Sequence, residues 1–157
     1  MQKISPFLWF NGRVEEAINY YTSVFKNSRI KDVRNFPDER PGQKGKVFTA
    51  TFELEDVEFM ILDGGPHYQI SPAVSFFVKC KDQAEVNELW DKLAEEGKPL
   101  QCGWITDKFG VSWQIIPNAL GRLLGDPDPA KSQRVMQAMM KMGKIDVAGL
   151  EAAYHNG

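Results

Sequence analysis

Gln114 is the only uncharged amide in the apolar run Ser112-Trp113-Gln114-Ile115-Ile116. An amide donates and accepts hydrogen bonds at once, so on an apolar strand it is either a satisfied core group or part of a binding site. In an extended chain Ile116, two residues on, shares its face. His67, in the loop Gly64-Gly65-Pro66-His67, could reach a ligand or act as a general base, or simply be solvated. Asp63, just before the glycine pair, could contact a substrate or cap the turn. Trp9, Trp104 and Trp113 are either core residues or the walls of an apolar pocket. Cys102 opens a strand with no base or cation adjacent in sequence, which reads as an inert thiol. His155 reads as incidental, and the pairs Glu15-Glu16 and Glu95-Glu96 as solvated helix faces. The candidate ligand-binding residues are therefore Gln114, Trp9, Trp104, Asp63 and His67, and no residue is assigned a catalytic role.

These residues need elements to position them. Apolar Lys3 to Phe10 reads as a strand closed by Asn11-Gly12. From Arg13 to Lys26, Val14, Ala17, Ile18, Tyr21, Val24 and Phe25 recur at spacings of three and four, which predicts a helix. Arg29 to Phe36 is a second strand, and Pro37 to Lys46 is a solvated loop. Val47 to Leu54 and Val57 to Leu62 form a hairpin around Glu55-Asp56. The same order then returns. Ala73 to Cys80 is a strand rich in aromatic and β-branched residues. Asp82 is the expected N-cap of a helix ending near Glu96-Gly97, with Gly97 as its C-terminal glycine and Val86, Leu89, Trp90 and Leu93 on its apolar face. In Asp107-Lys108-Phe109-Gly110 the aspartate and glycine suit the first and last positions of a type I-like turn, which makes the flanking residues a hairpin.

The halves can be superposed by register. An offset of 69 (76 − 7) pairs Phe7 with Phe76, Leu8 with Phe77, Ala17 with Val86 and Tyr21 with Trp90. An offset of 54 (113 − 59) pairs Phe59 with Trp113 and Met60 with Gln114. Apolar meets apolar throughout the first set, as expected of a duplicated strand–helix–strands unit. The tail differs in kind. Asp128-Pro129 starts a helix running to about Met142, with Gly143 as its stop, and Asp146 caps a last short helix through Tyr154. Met136, Met139, Met140 and Met142 give that tail an adaptable packing surface, for the domain or for a dimer.

Composition narrows the function classes. The 157 residues are 43% hydrophobic and 25% charged, enough for a proper core without metal or disulfide staples. Nineteen basic residues against 21 acidic ones give a net charge of −2, without the basic stripe expected of a nucleic-acid partner. No apolar run approaches the roughly 18 residues of a membrane span, and the first residues lack a secretory pattern. Cys80 and Cys102, without such a signal, fit a reducing cytoplasm.

The duplicated βαβββ order, the Cys102-to-Gln114 stretch, and Asp126-Pro127-Asp128-Pro129-Ala130 with Arg134-Val135-Met136-Gln137-Ala138-Met139 resemble the PhnB-like family of the glyoxalase/bleomycin-resistance/dioxygenase (vicinal oxygen chelate) superfamily. The likeness runs from Ile4 to about Glu151. It implies an α+β fold of two βαβββ modules, about residues 1–66 and 71–119, forming curved mixed sheets around a cleft. Together they make a glyoxalase-like domain over 1–119, followed by a C-terminal helical extension over 120–157. It implies a homodimer that binds a small-molecule ligand. Superfamily metal ligands would fall near Ser5 or Pro6, Met60 or Ile61, Val74 or Ser75, and Gln114. Only Gln114 among them is a credible donor, and a divalent ion needs several. The expectation is thus a metal-free and cofactor-free cleft for a small, partly apolar molecule. A metal-dependent lyase, isomerase or dioxygenase using His67, Asp63 and Gln114 is the alternative. Some family members are labelled 3-demethylubiquinone-9 3-methyltransferase, a third reading. No glycine-rich strand-to-helix turn suited to S-adenosylmethionine is present, since Gly64-Gly65 runs into Pro66.

Overall fold

The computed structural model describes residues 2–37 and 41–156. The chain has a mixed α+β fold with two four-stranded mixed sheets and five helices among those residues. It divides into two compact units, meeting in sequence at Ile70 and Ser71.

In the first unit the order is β1 (Phe7–Phe10), α1 (Val14–Val24), β2 (Ser28–Asn35), β3 (Val47–Leu54) and β4 (Val57–Asp63). The sheet order is β1-β4-β3-β2, with β1 parallel to β4 and the other pairs antiparallel. The three-and-four spacing works as expected, since Val14, Ala17, Ile18, Tyr21 and Val24 are all buried. They pack against the strand face carrying Leu8, Phe52, Phe59 and Ile61, with Tyr21 stacked on Phe52. The hairpin closes on Glu55-Asp56, both at positive φ (48° and 68°), the pairing that a two-residue turn of type I′ requires. The solvated loop expected over Pro37 to Lys46 falls partly on residues 38–40, outside the described ones; its part from Pro41 to Gly45 is turn.

The second unit repeats the order as β5 (Ser75–Cys80), α2 (Gln83–Ala94), β6 (Lys98–Pro99), β7 (Trp104–Thr106) and β8 (Ser112–Pro117), in sheet order β5-β8-β7-β6. Asp82 caps α2 as its sequence predicts, accepting the Glu85 N–H at 2.9 Å. The helix ends differently from expectation. Glu96, not Gly97, takes the left-handed conformation at φ 58°. Gly97 is there for space, because a Cβ would lie 2.3 Å from the Leu93 carbonyl oxygen and 2.8 Å from that of Thr106.

The repeat is genuine in order, but its strand register departs from an offset of 69. Phe7 pairs with Met60, and Phe77 pairs with Gln114. With Met60 equivalent to Gln114, Phe7 therefore matches Phe77, an offset of 70 (77 − 7). The helices keep 69, from Val14 to Gln83 (83 − 14). The β1–α1 link is one residue longer than the β5–α2 link. Sequence alone missed this because both phases of Phe7-Leu8-Trp9-Phe10 are apolar, and a one-residue slip swaps every side chain between faces.

Three helices complete the second unit. These are α3 (Asn118–Leu124), α4 (Pro129–Met140) and α5 (Val147–His155). Asp128 and Asp146 cap α4 and α5, accepting from Ala130 and Ala148. The helix expected to reach Met142 stops two residues earlier, and α3 had no counterpart in the sequence reading. Ile116, Leu120, Leu123, Val135, Ile145 and Leu150 form one buried cluster, so the tail packs on the end of β8. No helix among the described residues is long and apolar enough to cross a membrane.

Candidate ligand-binding site

One face of the second sheet is spoken for. Val86, Leu89, Trp90 and Leu93 of α2 are buried, as are Ile105, Trp113 and Ile115, which the strand alternation places on one side. The alternate residues therefore face away from α2. Trp104 stands directly across from Gln114, and Gln114 is also the partner of Phe77. Cross-strand partners share a face at about 5 Å between Cβ atoms. Trp104, Gln114 and Phe77 thus form a row over three strands.

The hairpin that sets this row is held by Asp107, which is only 3% exposed. Its Oδ1 accepts the N–H groups of Phe109 (2.8 Å) and Val111 (3.1 Å), and its Oδ2 accepts the Trp113 indole N–H at 2.9 Å. The expected turn is present, with the Gly110 N–H on the Asp107 carbonyl at 3.0 Å and Gly110 at φ 93°. A Thr106–Ser112 hydroxyl pair at 3.0 Å adds a second tie. Behind Trp104, Cys102 (φ 60°) and Gly103 (φ 83°) turn back so that their N–H groups meet the carbonyls of Met142 and Gly143, each at 2.8 Å. A Cβ on Gly103 would sit 2.7 Å from Ile116 Cδ1 and 2.9 Å from Ile145 Cγ1. The C-terminal helices therefore wall one end of the row, beside Ile116.

The polar groups of this row are incompletely used. Gln114 is half-buried, and its Nε2 donates to Ser75 Oγ at 2.9 Å. Its Oε1 has no hydrogen-bond partner among the described residues, and neither has the Trp104 indole N–H. Phe77 beside them is 55% exposed, unusual for a phenylalanine in a sheet. The sequence singled out Gln114 and Trp104 but not Phe77, whose phase in β5 only the register reveals. Asp107, read as a turn residue, also anchors an indole six residues on, a contact no turn pattern signals.

The other three candidates lie in the first unit. Trp9 is half-buried, donates its indole N–H to the Gly65 carbonyl at 2.9 Å and meets Tyr68 edge-on at 5.0 Å. Gly64 must be glycine for this, since a Cβ would fall 2.4 Å from the Trp9 ring. Asp63 Oδ1 accepts the N–H groups of Gly12 (3.0 Å) and Gly65 (3.3 Å), tying the ends of β1 and β4. His67 is exposed in the following turn beside Tyr68. Trp9, Asp63 and His67 thus cluster at one end of the first sheet, while Gln114 and Trp104 face each other in the second.

The charged end of the first sheet is self-contained. Lys31 Nζ lies 3.0 Å from Glu58 and 3.2 Å from Glu53, Arg29 meets Glu53 at 3.1 Å, and the Ser5 hydroxyl donates to Glu58. Glu58, then Glu53, holds the Lys31 ammonium above its ordinary value. Lys31 in turn holds Glu58 below the usual carboxylate range, and Arg29 with Lys31 does the same for Glu53. Both cysteines are free, and burial pushes the Cys80 thiol up to about 12, leaving it inert.

The residues do not fit a resident metal ion. Met60 carries a thioether, Ser75 is engaged by Gln114, and Gln114 itself is a neutral amide. Among the described residues no three His, Cys, Asp or Glu side chains converge to hold a cation.

Fold and site together define a glyoxalase-fold protein, and the comparisons place it within that fold. Residues 2–116 match the model of the family described as 3-demethylubiquinone-9 3-methyltransferase, and the chain belongs to that family. The PhnB protein of Bacillus cereus, named for a candidate activity of that kind, is 39% identical, with 72% of this chain and 97% of that chain covered at a TM-score of 0.67. Protein YjdN of Escherichia coli is 26% identical over 71% of this chain and 92% of its own length. A fosfomycin resistance protein, FosX of Listeria monocytogenes, solved with Mn(II) and a dihydroxypropylphosphonic acid, is 14% identical. It covers 72% of this chain and 90% of its own at a TM-score of 0.52, and shows the fold alone.

Proposed function

We propose that this protein binds a small, partly apolar molecule on the open face of the β5-β8-β7 sheet, without a metal ion. One observation carries the reading: an acceptor, Gln114 Oε1, and a donor, the Trp104 N–H, both without a partner among the described residues, stand on neighbouring strands beside the exposed ring of Phe77. Binding sites combine apolar and aromatic area with a few placed polar groups. Such a row recognises a flat apolar body carrying one donor and one acceptor. Trp9 offers a further aromatic surface in the first unit, with Tyr68 against it, His67 next to Tyr68, and Asp63 on the opposite face of the same sheet end.

A metal-dependent lyase, isomerase or dioxygenase is disfavoured by the donor chemistry just described. The methyltransferase of the family description is disfavoured by the strand-to-helix links. These are Asn11-Gly12-Arg13, Lys81-Asp82 and the direct passage from β8 into α3 at Pro117-Asn118, none of them the glycine-rich turn that cradles such a cofactor. The reading includes a homodimer, as in many proteins of this fold, and a cytoplasmic location in keeping with two free thiols.

Benzamide, a ring with one donor and one acceptor, is the test ligand. Titrated into isotope-labelled protein, it should shift the Trp104 Nε1–H and Gln114 side-chain resonances together and saturably. Gln114→Leu, which keeps volume but removes the acceptor, should weaken binding by about tenfold, about 1.4 kcal/mol. Equal affinity for benzamide in that variant would sink the reading. Metal analysis of the purified protein should find no stoichiometric Zn, Ni, Mn or Fe.

A further inference from the structure

A cavity opens in the first unit where the β1–α1 turn, the start of α1, the end of β4 and the segment from Gln43 to Val47 meet. Its volume is about 670 Å³, enough for a small metabolite. Strand alternation puts Asp63 on the face opposite Trp9, the face of Phe10 and Ile61 that α1 covers, so its carboxylate stands at the edge of that apolar layer beside the start of α1.

Two oxygens of its lining residues lack donors among the described residues. Gln43 Oε1 is fully buried without a hydrogen-bond partner, the one such side-chain atom among the described residues. A buried carbonyl oxygen in that condition stays unfavourable until a donor reaches it. Asp63 spends Oδ1 on two backbone N–H groups, while its Oδ2 has no partner among the described residues. The charges around them favour a cation. Arg13 is neutralised by Glu16 through contacts of 2.7 and 3.1 Å. Glu15 and Asp63 carry negative charge against the single ammonium of Lys46. Glu15 and Glu16 in the first turn of α1 also oppose an anion at that helix end.

We infer that this cavity binds a protonated primary amine, whose three N–H donors meet Gln43 Oε1 and Asp63 Oδ2. Such an ammonium can belong to a simple amine or to an amino acid. Lys46 on the rim favours the amino acid, because it can meet a carboxylate on the same molecule. The inference is independent of the Gln114 site.

The test follows the Gly12 and Gly65 amides, which donate to Asp63 and report on it directly. Ethylammonium chloride, glycine and sodium acetate are titrated separately into isotope-labelled protein. Ethylammonium and glycine should shift both amides saturably, glycine at the lower concentration, and acetate should not. Gln43→Leu should weaken the amine by about tenfold or more. Asp63→Asn should do the same if it folds, and the Gln43 variant decides the matter if it does not. No saturable shift with amine up to about 50 mM, an undiminished shift in Gln43→Leu, or an equal response to acetate would overturn the inference.

Discussion

The open faces of the two sheets share a plan and differ in how their polar groups are used. Each carries a phenylalanine at the equivalent place, Phe7 at 52% exposure and Phe77 at 55%. Each also carries an indole. In the first unit the Trp9 N–H is taken by the Gly65 carbonyl, and the carboxylates of Glu53 and Glu58 are matched by Lys31 and Arg29. In the second, the Trp104 N–H and Gln114 Oε1 have no hydrogen-bond partner among the described residues. The two faces are similar in plan; hydrogen bonds and ion pairs within the first satisfy its indole and carboxylates, whereas polar atoms of the second are unsatisfied among the described residues. That contrast, rather than apolar area, locates the proposed binding row.

The contrast depends on the hairpin between β7 and β8, so the largest effect is expected there. Asp107→Ala would strand the Trp113 indole and the Val111 N–H in a buried place. It should destabilise the protein by roughly 3 kcal/mol or more, read as a lower urea midpoint at unchanged slope. It should also broaden the Trp104 indole resonance, since the register opposite Gln114 is no longer fixed. A shift below about 1 kcal/mol would mean that main-chain pairing alone sets the row.

A smaller loss is expected in the first unit from Gly64→Ala. The added methyl group would fall 2.4 to 2.6 Å from the Trp9 ring, which must move and give up its bond to Gly65. The cost of such overpacking is about 1–3 kcal/mol. Because Trp9 is closed internally, benzamide binding should be unchanged, whereas a loss of binding would show that the two faces recognise one ligand.

The parts legible in the sequence were those with one consistent period. The faces of α1 and α2 followed from three-and-four spacing, and the caps at Asp82, Asp128 and Asp146 from side-chain chemistry. The phase of β1 was not legible, because Phe7, Leu8, Trp9 and Phe10 are apolar on both faces and only pairing to β4 selects one. The seven-residue α3 was missed because Gly121 interrupts a pattern too short to show a period. At the site, Gln114 and Trp104 stood out as residue types. That their polar atoms are unpartnered depends on Ser75 and on strand register, which no local spacing encodes.

The smallest effect tests the closed face by pH. The carboxyls of Glu58 and Glu53 are held below their ordinary 4.5 in the folded protein, so their stabilisation is present above about 4.5 and lost as the pH falls through the lower folded value. Lys31 is held above 10.5, so its share is present below that value and lost as the pH rises through the raised one. Lys31→Met should therefore lower the urea midpoint only slightly at pH 7, as exposed ion pairs contribute little. It should flatten the decline as the pH falls below about 4.5, because the carboxylates lose a partner that favoured their ionised form. An acid limb as steep in Lys31→Met as in the parent would show that Arg29 and Ser5 alone hold these carboxylates, and that the face is closed by fewer contacts than its geometry displays.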